Sequence, residues 1–223
     1  MLYWLQLKVC LKNGDIMSGL FITFEGTEGS GKTTLINKVV DYLNSKNIKI
    51  IKTREPGGIK IAEEIRNVIL NVDNTQMDKI TEALLYAASR RQHLVEKVIP
   101  YLEEGYVVIC DRFIDSSLAY QGYARGIGID KVYGINLYAT DGVLPDYTFY
   151  IDVRPEIGLQ RIQSNNREKN RLDLESISFH QKVYQGYKEV EKKFPERFIN
   201  INGERDIDEV FLDIKNKIDE IIR

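Results

Sequence analysis

The sequence predicts an α/β fold, a five-stranded parallel sheet with helices on both faces, and three observations predict it. Short apolar runs with strand character alternate with helical patterns along the 223 residues, and such alternation builds parallel sheets covered on both sides. The first run feeds at once into Gly26–Thr27–Glu28–Gly29–Ser30–Gly31–Lys32–Thr33–Thr34, a glycine-rich turn that opens a helix. Hydrophobic residues make up 43% of the chain, enough for one domain with a real core.

In order, the strand candidates are Leu20–Glu25, Ile48–Thr53, Tyr106–Cys110, Tyr147–Val153 and Phe198–Ile201. Phe21–Phe24 is the apolar centre of the first. The helix after it, Thr33–Asn44, places Leu35, Ile36, Val39, Val40 and Leu43 on one face. Helical patterns then cover Ile61–Leu70 and Asp78–Glu103, ahead of the third strand, whose apolar run encloses Cys110 as a small hydrophobe. Ser116–Tyr123 and Asp130–Ala139 precede the fourth strand, and Pro155–Ile162 and Glu175–Lys193 precede the fifth. The last helix, Ile207 to Ile222, aligns Ile207, Val210, Phe211, Ile214, Ile218 and Ile221.

The expected organisation is an N-terminal extension, 1–16, and a single domain, 17–223. The extension is apolar at Leu2, Tyr3, Trp4, Leu5, Leu7, Val9 and Leu11, but Lys8 and Lys12 interrupt it and no small-residue cleavage site follows. It reads as a dispensable leader or an upstream start-codon choice, with a membrane-touching or partner-binding segment as the lesser alternative. No apolar run approaches the roughly 18 residues of a membrane span. A net charge of −2 supplies no global attraction to nucleic acid or anionic membrane, so neither is an expected partner. Any anion site must be local. Cys10 and Cys110 lie in no metal or redox spacing and fit a reducing cytoplasm.

Ligands of parallel sheets bind beyond the carboxyl ends of the strands, so the residues after each strand carry most information. Gly26, Gly31, Lys32 and Thr33 satisfy G-x-x-x-x-G-K-[ST], a nucleotide phosphate cradle. Its glycines let backbone N–H groups turn around an anion, and the helix N-terminus adds favourable partial charge. Lys32 can reach terminal phosphates, and the Thr33 hydroxyl can hold Mg²⁺. After the second strand, Thr53–Arg54–Glu55–Pro56–Gly57–Gly58 sets an arginine at the sheet mouth, suited to a phosphate or simply exposed on a loop. The third strand ends in Asp111–Arg112, a carboxylate for the metal shell beside a cation for a transferring phosphoryl group. Tyr86 and Arg90 share one helical face, and Ser117, Tyr120 and Gln121 another. Those side chains can stack on and hydrogen-bond a base, or fill a core and its edge. The polar, basic stretch at about 163–172, with Arg167 and Arg171, has the composition of a lid or of a solvated loop.

Together these segments resemble the thymidylate kinase family, bacterial type. The resemblance runs from Leu20 to about Ile222 and rests on GTEGSGKTT at Gly26–Thr34, TREPGG at Thr53–Gly58, LLYAASRRQ at Leu84–Gln92, DRFIDSSLAYQG at Asp111–Gly122, LPDYTFYIDV at Leu144–Val153 and RLD at Arg171–Asp173. It implies a P-loop nucleoside monophosphate kinase-like fold, transfer of the γ-phosphoryl group of ATP to dTMP in dTTP synthesis, Mg²⁺ as cofactor, and a cytoplasmic homodimer formed through the long central helices. It implies ATP on Gly26 through Thr34, including Thr27, Glu28, Gly29 and Ser30, and metal on Thr33 and Asp111. It places dTMP on Glu28, Arg54, Tyr86, Arg90, Arg112, Ser117, Tyr120 and Gln121. Eukaryotic members carry an arginine where this chain has Gly29, so the implied catalytic set is Lys32, Asp111, Arg112 and a lid arginine, Arg167 before Arg171. Phe113, often tyrosine in the family, departs from the pattern but keeps a ring. Rival readings are another P-loop nucleoside or nucleotide kinase, and an acceptor-independent P-loop ATPase switch.

Overall fold

One parallel sheet, ordered β2–β3–β1–β4–β5, organises the chain: β1 (Leu20–Glu25), β2 (Ile50–Arg54), β3 (Val107–Asp111), β4 (Tyr147–Asp152) and β5 (Phe198–Asn202). The structure is a computed structural model and describes residues 19–163 and 171–222. The 1–16 extension lies outside the described residues, as do Arg167 and most of the 163–172 segment.

The helices connect the strands in chain order: α1 (Lys32–Ser45), α2 (Lys60–Leu70), α3 (Lys79–His93), α4 (Ile99–Glu103), α5 (Ile114–Ser117), α6 (Ile129–Thr140), α7 (Pro155–Gln163), α8 (Ile177–Lys193) and α9 (Ile207–Ile221). On one face of the sheet, Leu35, Val39 and Leu43 of α1 and Val210, Ile214 and Ile218 of α9 pack on Ile22, Phe24, Ile109 and Phe149. On the other, Phe21, Val108 and Cys110 meet Leu94, Val98, Leu118, Val132 and Val190. The central strands β1 and β3 alternate their side chains between these two apolar layers, as a buried parallel sheet requires.

Most elements lie within a residue or two of their expected bounds, and two expected helices differ in kind. The expected helix Asp78–Glu103 is divided into α3, a π-helical turn at Leu94–Val98, and α4. Pro100 has no N–H to return to Glu96, so the regular hydrogen-bond ladder cannot run through this point. The expected helix Ser116–Tyr123 begins at Ile114 as α5 and continues as a second π-helical segment, Leu118–Ala124. Arg54, expected in a loop, is the last residue of β2.

Register brings the site together. Phe24 of β1 pairs with Asp111 of β3, and Asp111 pairs with Arg54 of β2. Three strands therefore end level, and the loops leaving them open on one space.

Candidate functional site

That space is a cavity of about 750 Å³ at the carboxyl edge of β1, β2 and β3, within the size range of small-molecule sites. Gly31 caps α1 in the left-handed region, with φ of 87°. Gly29 has φ of 71°, and a Cβ there would stand 2.0 Å from the Gly158 carbonyl oxygen of α7, so this turn admits no side chain without backbone movement. The Lys32 ammonium donates to Gly26 O at 3.0 Å, Thr27 O at 2.9 Å and Ser30 Oγ at 3.0 Å. Burial, reinforced by Arg112, lowers its pKa to about 8. The Thr33 hydroxyl donates to Asp111 Oδ2 at 3.4 Å.

Arg112 sits at φ of 67°, a left-handed conformation uncommon for a non-glycine residue. Its N–H is held by Phe24 O at 2.9 Å. Its guanidinium donates to Glu28 Oε1 at 2.8 Å, Ser116 Oγ at 3.1 Å and the Tyr187 hydroxyl at 2.9 Å. Tyr120 also donates to Glu28, at 3.1 Å, beneath the Arg112 plane. Beneath this group lies Glu25, fully buried, accepting from Phe113 N, Ser116 N, Ser116 Oγ and Tyr187. Burial and the nearby Asp115 push its pKa up to about 7, against Arg112 and the donors, which favour the anion.

The second compartment lies under α3. Asp78 caps that helix, accepting from Ile80 N and Thr81 N, and Glu82, Tyr86 and Arg90 follow at successive turns on one face. Arg90 is 2% exposed. It donates to Glu55 Oε2 at 2.7 Å and Ser117 Oγ at 3.1 Å, contacts Asn136 Oδ1, and lies over the Phe113 ring. His93 bonds the other oxygen of Glu55 at 2.8 Å. Burial, aided by Glu82, pushes the Tyr86 phenol well up and keeps it neutral. At the cavity rim Arg54 pairs with Glu63 at 2.7 Å.

Glu28, Gly29, Ser30, Gly31, Lys32, Thr33, Thr34, Arg54, Tyr86, Arg90, Asp111, Arg112, Ser117, Tyr120 and Gln121 all line the cavity. Two expected residues do not: Gly26 lies at the root of the loop, and Thr27 turns inward, its hydroxyl donating to Val153 O at 2.9 Å. Arg167 falls outside the described residues. Arg171 is described, and it donates to Ile69 O and Glu82. Sequence reasoning missed Arg66, which lines the cavity and donates to Pro56 O at 2.9 Å. A signal existed, because Arg66 lies four residues after Ala62 and three before Ile69, on the buried face of α2.

A phosphate loop after β1, an acidic end to β3 and a second polar compartment under α3 define a P-loop kinase of the nucleoside monophosphate type. The sequence model of the thymidylate kinase family matches residues 24–214. A thymidylate kinase of Clostridium novyi is 62% identical over 198 residues, 88% of this chain and 97% of that protein. One of Bacillus velezensis is 58% identical over 208 residues, 93% of this chain and 98% of that protein. The crystal structure of thymidylate kinase from Ehrlichia chaffeensis superposes with a TM-score of 0.74 at 35% identity, covering 90% of this chain and 98% of that one. The chain belongs to the thymidylate kinase family.

Proposed function

We infer that this chain transfers the γ-phosphoryl group of ATP to dTMP, giving dTDP and ADP on the route to dTTP. The observation that carries the reading is a single cavity uniting the phosphate loop with the Tyr86–Arg90–Gln121 compartment. A P-loop switch has no use for the second half. Phosphoryl transfer asks the protein for in-line positioning and charge compensation rather than covalent chemistry. ATP lies along Gly26–Thr34, and Lys32 exchanges its loop acceptors for phosphate oxygens. The base of dTMP lies under Tyr86, with Arg90, Ser117 and Gln121 at its edge. Glu28 and Tyr120 face the sugar. Arg54 and Arg112 hold the acceptor phosphate and the group in transit, having been kept in place by Glu63 and Glu28. Arg167 adds positive charge from the 163–172 segment, which excludes water that would otherwise compete as acceptor.

The Thr33 hydroxyl and Asp111 carboxylate, two hard oxygens at the cavity wall, fit Mg²⁺, which takes few protein ligands beside phosphate and water. When bound, the ion neutralises phosphate charge. A homodimer through α2, α3 and α6 is supported by the exposed Ile61, Val68, Ile80, Leu84 and Tyr138 on those helices. Among the described residues no helix is long and apolar enough to cross a membrane, and Cys110 is a free thiol; a cytoplasmic location agrees with both.

The test is ADP release from Mg-ATP with dTMP, dUMP, dCMP, dGMP, AMP or no acceptor. Strong turnover with dTMP, weaker with dUMP and little without acceptor is expected. Turnover independent of acceptor would move the chain to the ATPase class.

A further inference from the structure

Glu82 lies on α3 one turn before Tyr86 and is 1% exposed, yet nothing in the transfer step uses it. Its carboxylate draws donors from separate stretches of chain. Gln121 Nε2 donates to Oε1 at 2.9 Å. Arg125 donates Nε to Oε1 and Nη2 to Oε2, both at 3.3 Å. Arg171 Nη2 donates to Oε2. Burial alone would raise the pKa of Glu82, but the Gln121 bond and the two guanidiniums outweigh it and hold the carboxyl below its ordinary value. Glu82 is therefore ionised at neutral pH and accepts only.

That fixes the Gln121 amide. A carboxylate cannot donate, so the amide must give Glu82 its NH₂ end, and its Oε1 is directed elsewhere. Among the described residues none donates to that Oε1, while Gln121 lines the cavity beside Tyr86 and Arg90. The π-helical turn Leu118–Ala124 carries Gln121 to this position, between Glu82 and the cavity.

We propose that Glu82 is a positioning residue for base selection: by locking the Gln121 amide with its oxygen toward the cavity, it makes the site favour pyrimidines that bear an N–H at ring position 3. Thymine and uracil offer that donor. Cytosine offers a lone pair there, which faces the Gln121 oxygen with no proton between them. This proposal rests on the reading that the base of dTMP occupies the compartment under Tyr86.

The test is Glu82→Gln, assayed with dTMP, dUMP and dCMP. The amide introduced by that substitution can both donate and accept, so the Gln121 amide becomes free to turn over. The dTMP/dCMP ratio of kcat/KM is expected to fall about tenfold or more, the worth of one mismatched buried hydrogen bond. Arg90 still opposes the cytosine amino group, so some preference remains. The dTMP/dUMP ratio is expected to stay unchanged, because both bases carry the same N–H. A purely structural role would lower all three substrates together, and a dTMP/dCMP ratio within about twofold of the parent overturns the proposal. If the parent itself fails to use dTMP, the underlying reading has failed instead.

Should Glu82→Gln not fold, the unaltered protein supplies the answer. In ¹⁵N-glutamine-labelled protein, with the Gln121 side-chain signal identified through Gln121→Leu, added dTMP is expected to leave the Nε2 protons slow to exchange and near their starting shifts. A large shift with rapid exchange means that the amide has left Glu82, and overturns the proposal.

Discussion

Replacing Arg90 by alanine perturbs the fold as well as the base site, and the structure sets the size of both effects. The Arg90 guanidinium is 2% exposed and its partner Glu55 is 3% exposed in the side chain. Its removal strands a buried carboxylate that keeps, among the described residues, only His93, and takes donors from Ser117 and Asn136. Breaking a buried ion pair from one side costs about 3–5 kcal/mol. For a chain of this length, each kcal/mol lowers Tm by roughly 2–4 °C, so Arg90→Ala should melt about 6–20 °C below the parent. The KM for dTMP should rise as well, through the lost base contact. The assay is thermal melting with and without dTMP, beside steady-state kinetics. The control is Arg90→Met with Glu55→Gln, which removes both charges and keeps volume, and should recover most of the stability. Melting of Arg90→Ala within about 2 °C of the parent would refute the buried-pair argument. So would a double variant no better than the single one. A rise in KM for ATP alone would move Arg90 to the donor site.

Lys32→Ala should lower kcat by about 10²–10³-fold, as loss of one preorganised oxyanion donor does; near-normal kcat removes Lys32 from phosphate stabilisation. Because burial lowers the Lys32 pKa to about 8, the cation proposed to meet ATP is present below that pH and lost above it. The pH profile of kcat/KM for Mg-ATP should therefore descend from about 8, while the descending limb of kcat lies higher, because bound phosphate restores the charge. A profile of kcat/KM flat to about pH 9.5 contradicts this. Arg167→Ala should lower kcat with little change in nucleotide affinity. If dTMP affinity alone falls, Arg171 becomes the lid candidate.

The strands and the two apolar layers were legible because a parallel sheet writes its burial into local sequence. Leu35, Val39 and Leu43 declare the inner face of α1 without reference to anything distant. The phosphate loop was legible for a similar reason, since glycine, lysine and threonine act there at fixed spacing. Pro100 signals the turn at Leu94–Val98, whereas the π-helical stretch at Leu118–Ala124 contains no proline to announce it. Arg90 read equally well as a solvated edge, because its partners Glu55, Ser117 and Asn136 lie 35, 27 and 46 residues away. Glu82 was invisible for the same reason. Its meaning depends on residues 121, 125 and 171, which only the fold brings to it.

The contact between Gly29 and Gly158 separates two ways of building this enzyme. Family resemblance assigns eukaryotic members an arginine at the loop position that Gly29 holds here. In this chain an arginine there would drive its Cβ into the Gly158 carbonyl, 2.0 Å away, and α7 leads directly into the 163–172 segment. On the proposal that Arg167 supplies the catalytic cation, adding an arginine at position 29 would displace the helix that leads into the segment proposed to carry it. Gly29→Arg alone would therefore strain the phosphate loop and the start of α7 together, because a Cβ at position 29 meets the Gly158 carbonyl oxygen at 2.0 Å.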